Sequence, residues 1–522
     1  MRKSVQEVQL RLDVERYRAA NDVIGALKAL DQLIDLDVAD QNDWCVTGQL
    51  LSEIGEFAQA VGAFERCIHI EPDHVAARHD LGRVLYNLGS MDRAATLIEQ
   101  VAVETGREDL WMGLATIAPG VPSYSQHRIR QIREKYAGIV RERENPTGQT
   151  SIAKSVQREG PIRIGYLSAH WNNANYMKPV WPLINAHDQE RFELHLFDDA
   201  AVRNETWEWL RNSRSKQYWV SAMSNNELAE SFRSLGIDIL VDLSAYSKPK
   251  RLGLFVHRAA PVQMAWFNMY ATSGFREIDF IIGDRYVMQN NEKRFYCERF
   301  LELPVSYLTF QTNHLAPDVS ESPFYRRGHF AFGCLGTLYK ITPQVIETWA
   351  TILIEASDSR LILANRDLRS QYNRQYIADK FAERGVSTDR IVFLPPASHF
   401  EFLKHYNEID LALDTFPYNG GTTTMEALWQ GVPVLTFCGD RWASRTSRTI
   451  LESADLGEFV SDSRQSYIRL AVQHATNSDR QKSMKELRRS MRDRLLRSSV
   501  CDSHSLARGM ERIFSSIYSG FR

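Results

Sequence analysis

The stretch that decides the fold is Leu411-Ala-Leu-Asp-Thr-Phe-Pro-Tyr-Asn-Gly-Gly-Thr-Thr-Thr-Met-Glu-Ala-Leu-Trp-Gln-Gly-Val-Pro-Val-Leu435. Its apolar ends predict two strands, and its middle predicts a turn followed by a helix over residues 423–429. Gly420 and Gly421 permit a sharp turn before the helix, and Gly431 ends it. A strand–helix–strand unit of this kind is typical of an α/β domain with a parallel sheet.

The start of this helix is a candidate phosphate site. Thr422, Thr423 and Thr424 place hydroxyls beside backbone N–H groups that point out of the helix, where the helix dipole is positive. Glu426 lies three residues beyond Thr423 and is predicted either to cap the helix or to hold a sugar hydroxyl. The alternative is an ordinary capped helix, and this stretch alone does not choose between the two.

The whole chain has the composition of a soluble globular protein of about three domains. It has 522 residues, of which 43% are hydrophobic and 25% charged, and a formal net charge of −2. The near-neutral charge disfavours nucleic acid as the main partner. Basic clusters at residues 248–251 and on one face of residues 480–522 are interpreted as solvated surfaces.

The location of the protein is expected to be cytoplasmic. No apolar run approaches the length of a membrane span, and the N-terminus lacks the apolar core of a signal peptide. The six cysteines are scattered, with no Cys-x-x-Cys pair. Neither a metal site nor a disulfide framework is therefore indicated.

Residues 1–145 show a 34-residue period that is typical of tetratricopeptide repeats. Gly48 recurs as Gly82, and Ala60 recurs as Ala94, which are small residues that let two antiparallel helices approach closely. Two good repeats and a partial preceding one are too short for an independent domain, so we expect the solenoid to lean on the α/β part of the chain. It is expected either to bind a protein or peptide in its concave groove or only to brace the next domain.

Residues 155–318 predict a first α/β domain, in which apolar strands alternate with helices from residues 162–167 onward. The carboxyl ends of parallel strands share one edge of a sheet, so His170, Tyr246 and residues 270–274 are expected around one crevice. His170 is a candidate general base because its intrinsic pKa is near neutral. The alternative is a structural histidine at a strand end.

Residues 324–500 predict a second α/β domain that contains the opening stretch, and residues 501–522 predict a C-terminal helix. A strand at residues 330–335 is followed by a loop that carries Lys340. Because this loop and the threonine-rich turn both leave carboxyl ends of strands, they can meet around one ligand. Lys340 is therefore expected to bring positive charge to the phosphate at the helix start.

The chain resembles the O-GlcNAc transferase/SPINDLY-type glycosyltransferases, in particular bacterial-type members, over most of residues 160–460. The resemblance is carried by residues 413–433, by Gly336-Thr-Leu-Tyr-Lys340, and by Arg258-Ala-Ala-Pro-Val-Gln263 running on to Thr272-Ser-Gly274. The order of a tetratricopeptide segment before two Rossmann-like halves also matches the family. The resemblance implies a short tetratricopeptide-like solenoid followed by a GT-B fold, with a nucleotide-sugar held between its two Rossmann-like domains.

The resemblance also implies roles for residues at matching positions. Lys340 matches the lysine that contacts the donor pyrophosphate and stabilises the leaving nucleotide. Glu426 matches an acidic residue on the ribose, and the loop around Pro396 matches one whose backbone recognises the uracil edge. The remaining residues that this resemblance places at the donor are Thr337, Ala397, Phe402, Gly420, Gly421, Thr422, Thr423 and Thr424.

Two loops depart from the family pattern. The loop after the first strand usually carries Asp-Phe/Tyr-x-x-His, whereas this chain has His170 in place of the Asp and Ala174 in place of the His. A base-stacking histidine and a following arginine are replaced by Phe402 and His405, although Phe402 can still stack on a base. The departures concern acceptor chemistry and donor identity more than nucleotide binding.

The resemblance implies an inverting transfer of GlcNAc from UDP-GlcNAc to a Ser or Thr hydroxyl of a protein acceptor, without a metal or another cofactor. Lys340 and the helix dipole would neutralise the departing diphosphate. Three alternatives stay open: the same fold with another donor, such as GDP-fucose or a CMP-nonulosonate used on flagellin; a GT-B-type nucleotide-sugar epimerase; and a non-catalytic adaptor. The solenoid argues against the epimerase, because a small-molecule enzyme needs no peptide groove. Assembly into a homo-oligomer is left open.

Overall fold

The N-terminal helices pair as hairpins, as the 34-residue period predicts. The computed structural model describes residues 2–146, 160–203, 205–312 and 314–520. The repeated glycines lie at helix crossings: a Cβ on Gly48 would stand 2.7 Å from the Phe64 ring, and one on Gly82 would stand 2.8 Å from Ile98. The helices before the first strand are α1 Arg2–Ala19, α2 Val23–Asp35, α3 Gln41–Glu53, α4 Phe57–Ile70, α5 Val75–Asn87, α6 Met91–Thr105, α7 Glu108–Ile117 and α8 Gln126–Glu144.

The first α/β domain contains a parallel sheet of seven strands among the described residues, in the order β3-β2-β1-β4-β5-β6-β7. The order reverses between the neighbouring strands β1 and β4, so the loops that follow these two strands open onto one crevice. The strands are β1 Ile162–Ser168, β2 Phe192–Asp198, β3 Lys216–Trp219, β4 Ile239–Asp242, β5 Val262–Ala265, β6 Phe280–Asp284 and β7 Arg299–Leu303. The helices are α9 Ala174–Met177, α10 Trp181–Ala186, α11 Asn225–Ser234 and α12 Gly253–Val256.

The second α/β domain repeats this design with six described strands in the order β10-β9-β8-β11-β12-β13. Its order reverses between β8 and β11, which places the loop that carries Lys340 beside the threonine-rich turn. The strands are β8 Ala331–Cys334, β9 Arg360–Leu363, β10 Ile391–Phe393, β11 Leu411–Leu413, β12 Val434–Phe437 and β13 Val460–Ser461. The helices are α13 Pro323–Arg327, α14 Pro343–Glu355, α15 Gln371–Ala382, α16 His399–Lys404, α17 Thr422–Trp429, α18 Thr446–Ser453, α19 Arg464–Thr476 and α20 Ser478–Arg497.

The predicted C-terminal helix is α21, Ser503–Gly520, and it returns to the first α/β domain. Its buried Glu511 accepts hydrogen bonds from the backbone N–H of Asp188 at 2.8 Å and from Arg508 at 2.8 Å. Arg508 also donates to the carbonyl of Ala186 at 2.8 Å. The end of the chain thus ties the second domain back onto the first.

The solenoid packs against the second α/β domain, as its shortness predicts. A Cβ on Gly89, in the turn between α5 and α6, would lie 2.3 Å from the carbonyl oxygen of Ile341. The side chain of Asn373 accepts from the N–H of Ala58 at 3.0 Å and donates to the carbonyl of Gly55 at 2.8 Å. One hydrophobic core runs without interruption from the solenoid into both sheets.

Each of the two basic segments contains one arginine that is less solvated than the sequence indicates. Arg251 donates to the buried carboxylate of Asp199 at 2.5 and 3.0 Å. Arg488 on α20 is buried and donates to the carbonyl of Ile409 at 2.7 Å and to that of Tyr406 at 3.2 Å. These two arginines bind loops, whereas Lys250, Lys482, Arg489, Arg494 and Arg497 are exposed, as the interpretation of a solvated surface expects. Across the described ranges, every helix is too short or too polar to cross a lipid bilayer.

Candidate functional site

The turn between β11 and α17 is fixed by a buried carboxylate and by crowding. Asp414 accepts from the N–H of Gly420 at 2.8 Å and from the hydroxyl of Thr436 at 2.7 Å. A Cβ on Gly420 would lie 2.6 Å from Oγ1 of Thr424 and 2.8 Å from Oγ1 of Thr423. Gly420 is therefore required by close packing against the threonine hydroxyls, and its φ is not positive.

The N-terminus of α17 begins at the N-cap Gly421, and no side chain of the described residues caps it. Its first backbone N–H groups are therefore available to an anion. The hydroxyl of Thr422 reaches the carbonyl of Asn175 at 3.4 Å, which links the turn to the first domain. The hydroxyl of Thr424 is buried and shares a 2.8 Å hydrogen bond with Ser447, so it braces the turn from within.

Lys340 brings a positive charge to this turn, as the sequence predicts. Its Nζ donates to the carbonyl of Asn419 at 2.7 Å and stands 4.1 Å from the centroid of the Tyr418 ring. Lys340 and Gly420 line the same small cavity of about 30 Å³. Thr337 opens the turn that ends at Lys340, and its side chain is exposed. An ammonium group and free N–H donors thus converge on one spot, which is the chemistry that a phosphate requires.

Glu426 does not cap the helix, which corrects one of the two predictions for it. Its Oε1 accepts from Nζ of Lys178 at 2.7 Å and lies 2.9 Å from Nε2 of His399. Burial alone raises the pKa of Glu426, but His399 and Lys178 outweigh it, so this pKa is lowered. Because Lys178 belongs to the first domain, the ion pair crosses the cleft between the domains, with side chains that are 3% and 5% exposed. Both of these contacts use Oε1.

His170 lies at the carboxyl edge of the first sheet in a chain of hydrogen bonds. Its Nε2 is 2.9 Å from Oγ of Ser247, which donates in turn to the carbonyl of Ser244 at 2.5 Å. The hydroxyl of Tyr176 also contacts Ser247 at 3.1 Å and accepts from the amide of Asn268. A serine hydroxyl has one proton, and Ser247 uses it in the hydrogen bond that it donates to the carbonyl of Ser244. His170 must therefore donate from Nε2, which leaves the lone pair on Nδ1.

The environment of His170 favours its neutral form. Burial lowers its pKa, and the positive charge of Lys248 lowers it further. His170 lines an open cavity of about 570 Å³ together with His314 and His399, so the cleft carries imidazoles from both domains. Burial lowers the pKa of His314 to about 4, with Lys178 and His399 adding to the effect. The neutral imidazole of His170 can accept a proton in this cleft.

The predicted base-recognition loop is exposed and anchored. Pro396 and Ala397 are exposed to solvent in the segment between β10 and α16. Nε2 of His405 lies 3.0 Å from the carbonyl of Pro395 and ties the loop to the residues after α16. Phe402 on α16 is half-buried, with its ring centroid 6.1 Å from that of His405. The backbone of the loop is thus open to a base, with an aromatic ring on the neighbouring helix.

Sequence reasoning missed the contact of Lys178, Glu426 and His399. Lys178 closes the loop that departs from the family pattern, and His399 stands two residues after the predicted Ala397. The sequence offers one signal for Lys178 and His399, which is that each lies close in the chain to residues that were predicted to belong to the site. The contact itself joins positions 248 residues apart and depends on the packing of the two domains.

A second cluster that the sequence does not indicate lies in the solenoid. Ligand atoms of Cys45, Cys67 and His74 come within 4.8 Å of one another. Burial raises the pKa of the Cys45 thiol to about 12. Nδ1 of His74 accepts from the N–H of Ala77 at 3.1 Å and caps α5. We interpret the cluster as packed thiols beside a capping histidine, away from the cleft.

Two Rossmann-like domains face each other across this cleft, with phosphate-type loops on one side, a histidine on the other, and a tetratricopeptide solenoid in front. That arrangement defines the class as a GT-B glycosyltransferase fold with tetratricopeptide repeats. The chain belongs to glycosyl transferase family 41, whose family model matches residues 125–323 and 328–510. A tetratricopeptide-repeat model matches residues 53–117. The family resemblance inferred from the sequence is thereby confirmed.

Named relatives agree with this assignment. The chain is 29% identical over 363 residues to a Hordeum vulgare protein named probable UDP-N-acetylglucosamine–peptide N-acetylglucosaminyltransferase SPINDLY, covering 69% of this chain and 38% of that protein. It is 22% identical over 448 residues to a Caenorhabditis elegans UDP-N-acetylglucosamine–peptide N-acetylglucosaminyltransferase, covering 62% of this chain and 38% of that protein. The chain thus spans about two fifths of the length of these curated relatives.

A solved structure matches the whole fold. A mutant of the O-GlcNAc transferase from Thermobaculum terrenum superposes with a TM-score of 0.80 and 26% sequence identity. The match covers 100% of this chain and 99% of that chain, so it includes the solenoid and both sheets. The predicted fold class is confirmed by this match.

Proposed function

We propose that the protein transfers GlcNAc from UDP-GlcNAc to a Ser or Thr hydroxyl of a protein acceptor, with inversion at the sugar carbon. One observation carries this proposal: Nζ of Lys340 stands 2.7 Å from the carbonyl of Asn419, at the uncapped start of α17. A diphosphate leaving group needs positive charge at that place. The names of the relatives from Hordeum vulgare and Caenorhabditis elegans supply the donor and the peptide acceptor.

The donor would lie along the carboxyl edge of the second sheet. Its pyrophosphate would rest on the N–H groups and hydroxyls of Thr422 and Thr423, with Lys340 beside it. The ribose would reach Oε2 of Glu426, and the base would meet the exposed backbone at Pro396 and Ala397. The sugar would then face the first domain across the cleft.

The proposed step transfers one proton and replaces one bond at C1 of the sugar with another. The acceptor oxygen forms a bond to C1 of the sugar while the bond from C1 to the β-phosphate oxygen breaks. The proton of the acceptor hydroxyl passes to the unprotonated Nδ1 of His170, and the new negative charge stays on UDP. His170 suits this role because its pKa is lowered and its Nε2 proton is committed to Ser247.

The proposal includes no metal and no further cofactor. Charge on the departing diphosphate would be balanced by Lys340 and by the dipole of α17, which together supply what a divalent cation supplies in other phosphate sites. We place the reaction in the cytoplasm, because all six cysteines are free thiols.

Thermal unfolding with UDP, UDP-GlcNAc, GDP-fucose and CMP-sugars tests the donor. A ligand that binds only the folded state raises the midpoint as its occupancy grows. We expect UDP and UDP-GlcNAc alone to raise it, with no dependence on added EDTA. A higher unfolding midpoint with GDP-fucose or CMP-sugars would show that the donor is one of these and would leave the proposed mechanism unchanged. An unchanged midpoint with every nucleotide would favour a non-catalytic adaptor.

A further inference from the structure

A cavity of about 260 Å³ lies where the solenoid meets both α/β domains. Met91 and the end of α7 form its solenoid side, and Asn268 and Ser247 belong to its first-domain side. Six tyrosines from all three parts of the chain line it: Tyr86, Tyr176, Tyr246, Tyr270, Tyr339 and Tyr418. We call this space the tyrosine cavity.

The tyrosine cavity adjoins both halves of the candidate active site. Ser247 lines it and is the hydrogen-bond partner of His170 at 2.9 Å. Tyr418 also lines it, and the Tyr418 ring lies 4.1 Å from Nζ of Lys340. A side chain placed in the cavity would therefore lie beside the groups proposed to act on the acceptor hydroxyl and the leaving diphosphate.

The lining of the cavity disfavours a charged ligand. No described Asp or Glu lines it, and its one cation is Arg133. The Arg133 guanidinium already donates to the carbonyls of Met269 and Thr272 at 3.2 and 2.7 Å, and it lies 3.9 Å from the centroid of the Tyr246 ring. A cation brought into such a space loses its water without gaining a counter-ion, and an anion meets a guanidinium whose Nε and Nη1 protons are already bound to carbonyls. Phenol rings accept apolar groups against their faces and hydrogen bonds at their hydroxyls.

The walls of the cavity are already in place. The rings of Tyr86 and Tyr339 stack with centroids 4.9 Å apart and planes 16° apart, which joins the solenoid to the residue before Lys340. The close approach of Gly89 to the carbonyl of Ile341 fixes the same junction. The volume lies just below the range of about 300–1,000 Å³ that holds a drug-sized ligand. It therefore suits one side chain better than a long segment.

We propose that the tyrosine cavity receives an uncharged, partly apolar side chain that flanks the acceptor Ser or Thr, and so selects which hydroxyls are modified. This inference rests on the proposed transfer to a protein hydroxyl. It gives the solenoid a direct part in acceptor choice, because Tyr86 and Met91 form walls of the cavity.

A charge placed at the rim of the cavity tests the proposal. Thr116 lines the cavity but is exposed, and its hydroxyl donates to the carbonyl of Met112 at 2.8 Å. Thr116→Glu and Thr116→Lys form a pair of opposite sign. Thr96 on α6 is the matched control, since it is also exposed, donates to the carbonyl of Asp92 at 2.9 Å and does not line the cavity.

The substrates are alanine-based synthetic peptides with one central Ser and a Phe, Asp or Lys beside it. Initial rates of transfer from UDP-GlcNAc are divided by the rate at which the same variant hydrolyses UDP-GlcNAc without peptide. We expect the unaltered protein to prefer the Phe peptide over both charged peptides by about tenfold, or about 1.4 kcal/mol. Thr116→Glu should favour Lys over Asp by about three- to tenfold, Thr116→Lys should do the reverse, and Thr96→Glu and Thr96→Lys should rank the peptides as the unaltered protein does.

Two results separate failure of this inference from failure of the proposed function. A protein that hydrolyses UDP-GlcNAc but ranks all peptides equally, or whose Thr116 variants keep the original ranking, overturns the cavity assignment alone. A protein that neither binds nor hydrolyses UDP-GlcNAc overturns the proposed function and this inference with it.

Discussion

The two sides of the cleft are built in different ways. On the side proposed to bind the donor, the turn before α17 is held by Asp414 and Gly420, which are six residues apart. On the side proposed to bind the acceptor, His170 contacts Ser247, which is 77 residues away, and the cavity beside it needs Tyr86 from the solenoid. The donor side is thus built within the second domain, apart from the Lys178–Glu426 pair, although its contact of Lys340 with Asn419 spans 79 residues. The acceptor side exists only when three parts of the chain have packed together.

This difference predicts which functions can be separated. Substitutions on the donor side should change nucleotide binding or the departure of the nucleotide for every acceptor. Substitutions on the acceptor side should change transfer while nucleotide binding persists. The two sides meet at the buried pair of Lys178 and Glu426, where a substitution should affect both.

Lys340→Ala should have the largest effect. Loss of the ammonium group leaves the developing charge on the diphosphate without its nearest cation, and we expect the transfer rate to fall about 10³-fold, or about 4 kcal/mol. Initial rates with saturating UDP-GlcNAc measure this. The exposed Lys404→Ala serves as control and should keep its rate. Unchanged turnover in Lys340→Ala would remove Lys340 from the mechanism.

Breaking the cross-cleft pair should have the next largest effect. Glu426→Gln leaves the Lys178 ammonium buried without a carboxylate, and we expect unfolding to become easier by about 3 kcal/mol. Denaturant unfolding of Glu426→Gln, Lys178→Met and the double variant measures the coupling. The double variant should be more stable than Glu426→Gln alone. If the losses of stability in the two single variants add up to that of the double variant, Lys178 and Glu426 do not form their 2.7 Å ion pair in solution.

His170→Ala should lower transfer by about 10²-fold, the usual contribution of a general base, and leave UDP affinity unchanged. The base acts in its neutral form, so kcat/KM falls when the pH drops below its pKa. Burial and Lys248 lower that pKa from 6.5, and the acidic limb should therefore lie below pH 6.5. A fall in UDP affinity equal to the fall in rate would place His170 on the donor side instead.

Lys248→Met tests whether His170 is the group that titrates in this profile. Removing the charge of Lys248 removes one cause of the lowered pKa, so the acidic limb of the kcat/KM profile should move to higher pH. Lys250→Met is the control, since Lys250 is exposed and is not among the causes of the lowered pKa of His170. A limb that stays in place in Lys248→Met would show that another group titrates.

The contrast between structure built within one domain and structure assembled from several parts of the chain also bears on what the sequence could predict. The strands β8, β11 and β12 carry short apolar runs between turn residues, and all three were predicted. The edge strand β3 was not, because its residues Lys216–Trp219 are mostly exposed and lack an apolar run. The edge strands β7 and β13 were missed as well. Strand prediction from sequence thus succeeded where a buried strand carries an apolar run, and it failed at β3, β7 and β13, which are largely exposed or only two residues long.

The candidate site divides along the same line. The convergence of Lys340 on the start of α17 could be predicted, because both loops leave neighbouring carboxyl ends of one parallel sheet. The partner of Glu426 could not, since nothing in a helix of eight residues indicates a lysine from another domain. The repeated Gly55 and Gly89 both have positive φ, which the period explains, but the contact of Gly89 with Ile341 needs the docked solenoid.

Phe402→Ala should have the smallest effect and should confine it to nucleotide affinity. Stacking of a base on an aromatic ring contributes about 1–3 kcal/mol, so we expect UDP to bind about tenfold more weakly, as calorimetry would measure. Phe400→Ala on the same helix is the control, because Phe400 is 38% exposed and its ring lies 4.9 Å from Nζ of Lys404. If both variants lose affinity equally, α16 contributes through its packing, and the base is held by the backbone at Pro396 and Ala397 alone. If Phe402→Ala alone binds more weakly while peptide ranking stays the same, the donor side acts independently of the acceptor side.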